Sequence, residues 1–368
     1  MGVTLRDKFF GCIAGVHIGS SMGATVEGWP YQKITETYGE VKELRSYEHY
    51  HNGWKRPPGT TEDGVERQKL IITAIIEKQD RVNAEDVKSI WIRDIKPISI
   101  GMVSEAFEAV LLARAKSGIP ARDLGQYCDY AGLNSFARAC HPIGLINAGN
   151  EDWAMRDIFD VGQLYQTDGS GGLQWAQITG VGIAAATRPD ATVDSVIEAI
   201  LRRIDFTFSN KQYQKALESR RGGVKAKLEQ MLEATGGCRD YKELRVCFDK
   251  YFGGTGIPYS MASASEVVSK ALCIFRMVKG NTKDAIIAGV NLGRDTDCLA
   301  AVSAGISGAL TGASSIPKEW IDQVDEATRE NIYTNSQRTL RETSDGLYDA
   351  FRARMNRGKQ LAEAMINA

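Results

Sequence analysis

The sequence predicts an all-α protein folded as a single large domain over residues 1–368. Three observations lead there. Several segments repeat apolar residues at helical spacing. No alternating strand series, βαβ rhythm or fixed-period repeat interrupts them. No Pro/Ser/Gly-rich linker divides the chain, and 9 prolines in 368 residues suit long helices.

The first element is Phe9 to Val26, which carries no charge and is long enough to raise the question of a membrane span. His17, Ser20, Ser21, Thr25 and its glycines lower the hydropathy, so it reads as a buried helix. Val65 to Lys78 has a β-branched centre, Leu70 to Ile76, that could be a strand; its unbroken length favours a buried helix. Val193, Val196, Ile197, Ile200, Leu201 and Ile204 form one helical stripe, closed by Arg202 and Arg203 where cations suit the dipole. Residues 210–250 are charged and read as an outer helical segment. Ser263 to Lys279 and Thr282 to Leu292 are helical, the latter stopped by Gly293. Pro317 opens a last helix through Trp320, Ile321 and Val324. Loops are expected at His49–Thr60, Thr167–Gly172 and Gly253–Tyr259.

Composition excludes several classes. Hydrophobic residues make up 43%, too many for a disordered chain. Lys+Arg number 45 against 46 Asp+Glu, a net charge of -1, which argues against a general nucleic-acid binder. An odd count of 7 cysteines with no Cys-x-x-Cys argues against a disulfide framework or a structural zinc site. A reducing cytoplasm fits best. The flank Arg6-Asp7-Lys8 is weak for a signal peptide, and Arg6 breaks the myristoylation pattern, so neither membrane nor targeting segment is expected.

Gly11, Gly15, Gly19 and Gly23 lie on one helix face, and Ala301, Gly305, Gly308 and Gly312 make a similar one. Glycine inside a helix costs roughly 0.5–1 kcal/mol against alanine, so close helix–helix packing must compensate. Two acidic segments open helices: Thr61-Glu62-Asp63-Gly64 before Val65, and Gly293-Arg294-Asp295-Thr296-Asp297-Cys298 before the second small-residue face. Ordinary capping would explain either alone. Together with Glu27, isolated in an apolar, Gly-rich setting, they offer hard oxygen ligands for Mg²⁺ or Mn²⁺. Two such tips meeting would make a dinuclear site able to orient a substrate and activate water. The histidines His17, His49, His51 and His141 lack zinc-ligand spacing.

At these residues the chain resembles the ADP-ribosylglycohydrolase family, from about Arg6 to Trp320. Gly11 to Glu27 is similar to the family's opening helix and its glutamate. Thr61-Glu62-Asp63 stands where the family has Thr-Asp-Asp. Asn134-Ser135 through Arg138, Pro142-Ile143-Gly144 and Ala148-Gly149 match its central substrate loop and helix. Gln166-Thr167-Asp168-Gly169 resembles its Thr-His-Gly segment, and Val290 to Asp297 with Ala300-Ala301 its C-terminal metal motif. The resemblance implies an orthogonal helical bundle, two Mg²⁺ or Mn²⁺ ions, and hydrolysis of the glycosidic bond at the anomeric carbon of an ADP-ribosyl group. It implies Thr61, Glu62, Asp63, Asp295 and Asp297 as metal ligands and Glu27, with Asp63 and Asp297, as the catalytic carboxylates. Asn134, Ser135, Phe136, Asp168 and Arg294 are then expected against the substrate, either a ribosylated small molecule or an ADP-ribosylated protein.

The chain departs from the family's pattern at several points. Glu62 replaces an aspartate, Ser20 an aspartate, Arg294 a glycine and Asp168 a histidine; Gly64 and Cys298 stand where hydroxyl residues are usual. Arg294 suits a phosphate or carboxylate, or a salt bridge within its loop. Trp54, Tyr47 and Tyr50 could stack on a base or pack as a lid, and His141 reads as structural. Asp94 could line the pocket. A degenerate member that only binds ADP-ribose or a riboside is the competing reading.

Overall fold

The computed structural model describes residues 2–48, 52–96, 106–128, 132–167, 171–204, 223–252 and 262–368. Among them are sixteen α-helices, one 3-10 turn and a two-stranded ladder, so the predicted all-α class is the one observed. The helices are α1 (Leu5–Gly23), α2 (Tyr31–Tyr38), α3 (Asp63–Lys78), α4 (Ala84–Asp94), α5 (Ala106–Lys116), α6 (His141–Ile146), α7 (Glu151–Gly162), α8 (Gly172–Ala186) and α9 (Val193–Arg203), then α10 (Val224–Ala234), α11 (Tyr241–Phe252), α12 (Ala264–Met277), α13 (Thr282–Asn291), α14 (Thr296–Thr311), α15 (Lys318–Glu330) and α16 (Leu340–Ile366). None is long and apolar enough to cross a membrane.

At the centre, α1 and α14 run antiparallel with their small-residue faces pressed together. A β-carbon on Gly15 would lie 2.6 Å from Ala304 O, and one on Gly19 would lie 2.8 Å from the Ala300 carbonyl carbon. Gly11 meets Gly308 and Gly312 at one end, and Gly23 meets Asp297 at the other. No larger residue fits, which is why both helices accept the cost of glycine. The closeness also has a directional result: the C-terminus of α1, and so Glu27, is placed against the N-terminus of α14. Every residue of α1 from Phe9 to Gly23 is buried, which explains why that run is uncharged.

Around this pair, α13, α12 and α8 pack on α14, while α16 lies over α1, α3 and α6. The Val65–Lys78 segment is the helix α3, buried through Ile75. α10 and α11, in the segment expected to be outer, bury Leu228, Met231, Leu244 and Phe248, and also Arg245, which donates to Asn291 O; residues 210–222 lie outside the described part. The strands β1 (Tyr47–Glu48) and β2 (Lys55–Arg56) pair antiparallel within the segment leading to α3, a small ladder the sequence pattern did not reveal. The longest helix, α16, also went unread, because its charged turns carry no strong apolar stripe beyond Ala350.

Candidate active site

The two acidic tips meet. Arg138, on the loop before α6, reaches between them and donates from Nη2 to Asp63 Oδ2. Its Nη1 lies 3.3 Å from Glu62 Oε2 and 3.3 Å from Asp297 Oδ2. The same Nη1 lies 3.2 Å from Cys298 Sγ. One guanidinium therefore touches carboxylates from both ends of the chain. Gly64 makes room for its arm: a β-carbon there would stand 2.8 Å from Arg138 Cδ.

The front tip is internally satisfied. Glu62 is the cap of α3, its Oε2 accepting from Gly64 N at 2.8 Å, and its Oε1 accepts from Ser20 Oγ. The glutamate's extra methylene and the serine's short arm thus complement each other. Asp63 Oδ2 also takes Arg67 Nη2 at 2.8 Å, and Arg67 Nε is 2.5 Å from Glu108 Oε1. Thr61 Oγ1 sits in a second network, 3.3 Å from Glu66 Oε1 and 3.1 Å from Lys69 Nζ.

The back tip is held differently. Reciprocal backbone bonds, Gly28 N to Arg294 O at 2.8 Å and Arg294 N to Trp29 O at 2.7 Å, tie it to the turn after Glu27. Asp295 occupies the cap position of α14 but caps nothing. Instead Asn134 Nδ2 holds its Oδ2 at 2.6 Å. Asp295 Oδ1 and Asp297 Oδ1 are buried without a hydrogen-bond partner. One carboxylate oxygen from each of Asp295 and Asp297 and the Cys298 Sγ form a set of donor atoms within 4.8 Å of one another. Orphaned buried carboxylate oxygens are costly unless a positive group arrives, so this donor set fits a divalent cation.

Crowding of like charges shows in the acid–base balance. Burial first, then the charges of Asp297, Asp295 and Asp63, pushes the Glu27 carboxyl well above the usual range. Burial followed by Asp63 does the same to Glu62, and burial followed by Asp295 to Asp297. Burial raises Asp295 as well, with interaction with Asp297 first, then Arg138, Cys298 and Asn134, pulling the other way.

The ADP-ribosylglycohydrolase family model matches residues 1–357. The chain belongs to this family. An ADP-ribosyl-(dinitrogen reductase) glycohydrolase of Rhodospirillum rubrum is 20% identical over 341 residues, 90% of this chain and 95% of its own. An uncharacterized protein of Archaeoglobus fulgidus is 23% identical over 326 residues, 86% of this chain and 92% of its own. An ADP-ribosylarginine hydrolase of Serratia proteamaculans is 47% identical over 49 residues, 13% of each chain. A solved ADP-ribosylglycohydrolase-related protein complex has the same fold, with TM-score 0.63 and 17% identity over 95% of this chain and 98% of that one. The expected enzyme class therefore stands: the family's members are glycosyl hydrolases of ADP-ribosyl groups.

Within this ADP-ribosylglycohydrolase frame, Glu27, Glu62, Asp63, Asp295, Asp297 and Asn134 fall together. Ser135 is buried beside them in sequence, and Phe136 is fully buried, stacked on Tyr165 with centroids 5.5 Å apart. Asp168 and Tyr50 lie outside the described residues. Arg294 is bidentate on Glu266 of α12, at 2.6 and 2.9 Å, and that carboxylate also takes Lys270. Its salt bridge is thus to another helix rather than within the loop. Its φ of 69° is the left-handed region that favours glycine, which accounts for the glycine that resemblance led one to expect. Tyr47 and Trp54 pack on Arg56, with ring centroids 5.4 and 4.8 Å from its guanidinium carbon. Asp94 pairs with Arg93, 2.6 Å from its Nε, on the exposed end of α4.

Arg138 is the residue sequence reasoning passed over. Its signal was available: it is the one Asp, Glu, Lys or Arg between Asp129 and Glu151. A lone cation in an apolar stretch must find buried anions.

Proposed function

We propose that the protein is a metal-dependent hydrolase that cleaves the glycosidic bond at the anomeric carbon of an ADP-ribosyl or related N-ribosyl substrate. The observation that carries this is the pair of unpartnered, buried oxygens on Asp295 and Asp297, the Asp297 carboxylate sharing Arg138 with the front tip. A divalent cation held by Asp295 and Asp297 would grip the vicinal ribose hydroxyls and steady the ring for attack. Asn134 fixes the Asp295 carboxylate. Hydrolysis adds the oxygen of water to the anomeric carbon, breaks the bond to the leaving group and delivers a proton to it. Glu27, whose crowded carboxyl is pushed toward the protonated form, is the group placed to relay that proton. The names of the Rhodospirillum and Serratia relatives support an ADP-ribosyl substrate. The Arg294–Glu266 pair favours a second reading, a smaller riboside without a pyrophosphate, because the guanidinium offered to a phosphate is already neutralised.

The test is incubation of the purified protein with Mg²⁺, Mn²⁺ or Co²⁺ and ADP-ribosyl-arginine, ADP-ribosyl-serine or simple ribosides. Release of ADP-ribose or ribose is expected. Replacing Asp295 and Asp297 together by Ala should abolish cation uptake and lower turnover more than about 100-fold. No release from any substrate, with cation binding intact, would leave a degenerate riboside binder.

A further inference from the structure

We propose that this chain holds one thiophilic divalent cation, ligated by a carboxylate oxygen from each of Asp295 and Asp297 and by the Cys298 thiolate, with the Arg138 guanidinium standing in for a second cation at the front tip. This rests on the metal-dependent reading above and narrows it.

The back tip is prepared for such an ion. Asp295 and Asp297 are 2% and 1% exposed, and each keeps one oxygen without a donor. Their other oxygens are occupied, Asp295 Oδ2 by Asn134 and Asp297 Oδ2 by Arg138, so both carboxylates are oriented from behind. The third donor of the set is sulfur. A thiolate is a soft ligand that favours Zn²⁺, Cd²⁺ or Co²⁺ over Mg²⁺. Arg138 Nη1, 3.2 Å from Cys298 Sγ, donates to it and fixes the orientation of the sulfur. As the sulfur–metal bond forms, the thiol proton leaves to solvent.

The front tip is prepared for the opposite. Asp63 and Glu62 are already bridged by Arg138, and Asp63 also by Arg67. The space a side chain at position 64 would fill is taken by the Arg138 arm. Positive charge is thus supplied covalently at one tip and left to be recruited at the other.

The experiment is titration of the chelator-stripped, reduced full chain with Co²⁺, read by near-ultraviolet sulfur-to-cobalt charge-transfer absorption and by metal content per chain. One Co²⁺ per chain with that band is expected. Cys298→Ser should lose the band, and its Cd²⁺ affinity should fall at least about 10-fold while Mg²⁺ affinity changes little. In the wild-type chain, Cd²⁺ should outcompete Mg²⁺, a measurement that needs no variant to fold. Binding of Co²⁺ without the band, or two Co²⁺ per chain, would overturn the proposal and leave the hydrolase reading intact. So would a band that persists in Cys298→Ser but vanishes in Cys247→Ser, since the Cys238 and Cys247 sulfurs lie 3.6 Å apart and could hold cobalt themselves. Failure to bind any divalent cation would overturn both.

Discussion

The two acidic helix tips look alike in sequence and differ in what they hold. At the front tip every resolved partner is already inside the protein: Glu62 caps its helix and takes Ser20, and Asp63 takes two arginines. At the back tip Asp295 and Asp297 each keep a buried oxygen with no partner, and neither caps the helix it opens. Capping, the ordinary explanation for both, holds for Glu62 and fails for Asp295. The difference teaches that an acidic helix start acquires chemistry when its carboxylates are oriented by neighbours and still left wanting charge. Asn134 and Arg138 do that here.

The comparison can be broken most sharply at Arg138. Replacing it by Ala leaves Glu62, Asp63 and Asp297 facing one another with Arg67 as the remaining arginine on Asp63. Removing one partner of a buried charge cluster costs about 3–5 kcal/mol. Part of that is relieved because burial already favours the protonated forms of Glu62 and Asp297, so a loss of about 3 kcal/mol is expected in urea unfolding with EDTA present. Asp297→Asn, measured the same way, should change stability by less than about 1 kcal/mol, since Arg138 keeps Glu62 and Asp63 and a crowded charge is removed. If Asp297→Asn proved the costlier of the two without metal, the tips would not differ as described.

The helical class and the helices at Val193, Thr282 and Pro317 were legible because each rests on local pattern, whereas the meeting of the tips was implied by the family resemblance. Apolar spacing fixes a helix face, and four-residue glycine spacing implies a close partner. What was not legible depends on long-range geometry. That Gly11–Gly23 packs on Ala300–Gly312 in antiparallel sense cannot be read from either stripe alone, yet it decides that Glu27 sits at the back tip. Arg294 was expected to take a phosphate, a carboxylate or a salt bridge within its loop, and its partner is Glu266, 28 residues earlier on another helix. Arg138 was hidden inside a segment valued for Asn134 and Ser135.

A smaller effect probes the packing that joins the tips. A β-carbon on Gly23 would lie 2.5 Å from Asp297 N, so Gly23→Ala must push the two helices apart at the site itself. Overpacking of this kind costs typically 1–3 kcal/mol, and here it should also weaken cation binding, because Asp297 moves with its backbone. Gly358→Ala, on the exposed part of α16 with open space around it, should instead stabilise by roughly 0.5–1 kcal/mol. Thermal unfolding of both variants, with cation affinity measured for the first, separates a glycine needed for contact from one that is not.

A pH-dependent effect lies behind the tips, at His141. Its ring is fully buried, 3.1 Å from Gln68 Nε2 of α3 and against Gly305 of α14, wedged between the helices that carry the two tips. Burial lowers its pKa to about 3, and His17 nearby is lowered in the same sense. A histidine kept neutral in the folded state binds fewer protons there than when unfolded, near its ordinary value of about 6.5. Its contribution is therefore complete above that value and is lost progressively as pH falls toward 3. The raised carboxylates of both tips act in the opposite direction, gaining stability as they protonate, so the wild-type curve alone mixes the two. The difference between wild type and His141→Gln cancels the carboxylates. Between pH 6.5 and 5.5 that difference should shift by about 1 kcal/mol against the wild type. A flat difference would mean that the joint between α3 and α14 opens to water in solution, and that the two tips are held together less rigidly than their bonds to Arg138 imply.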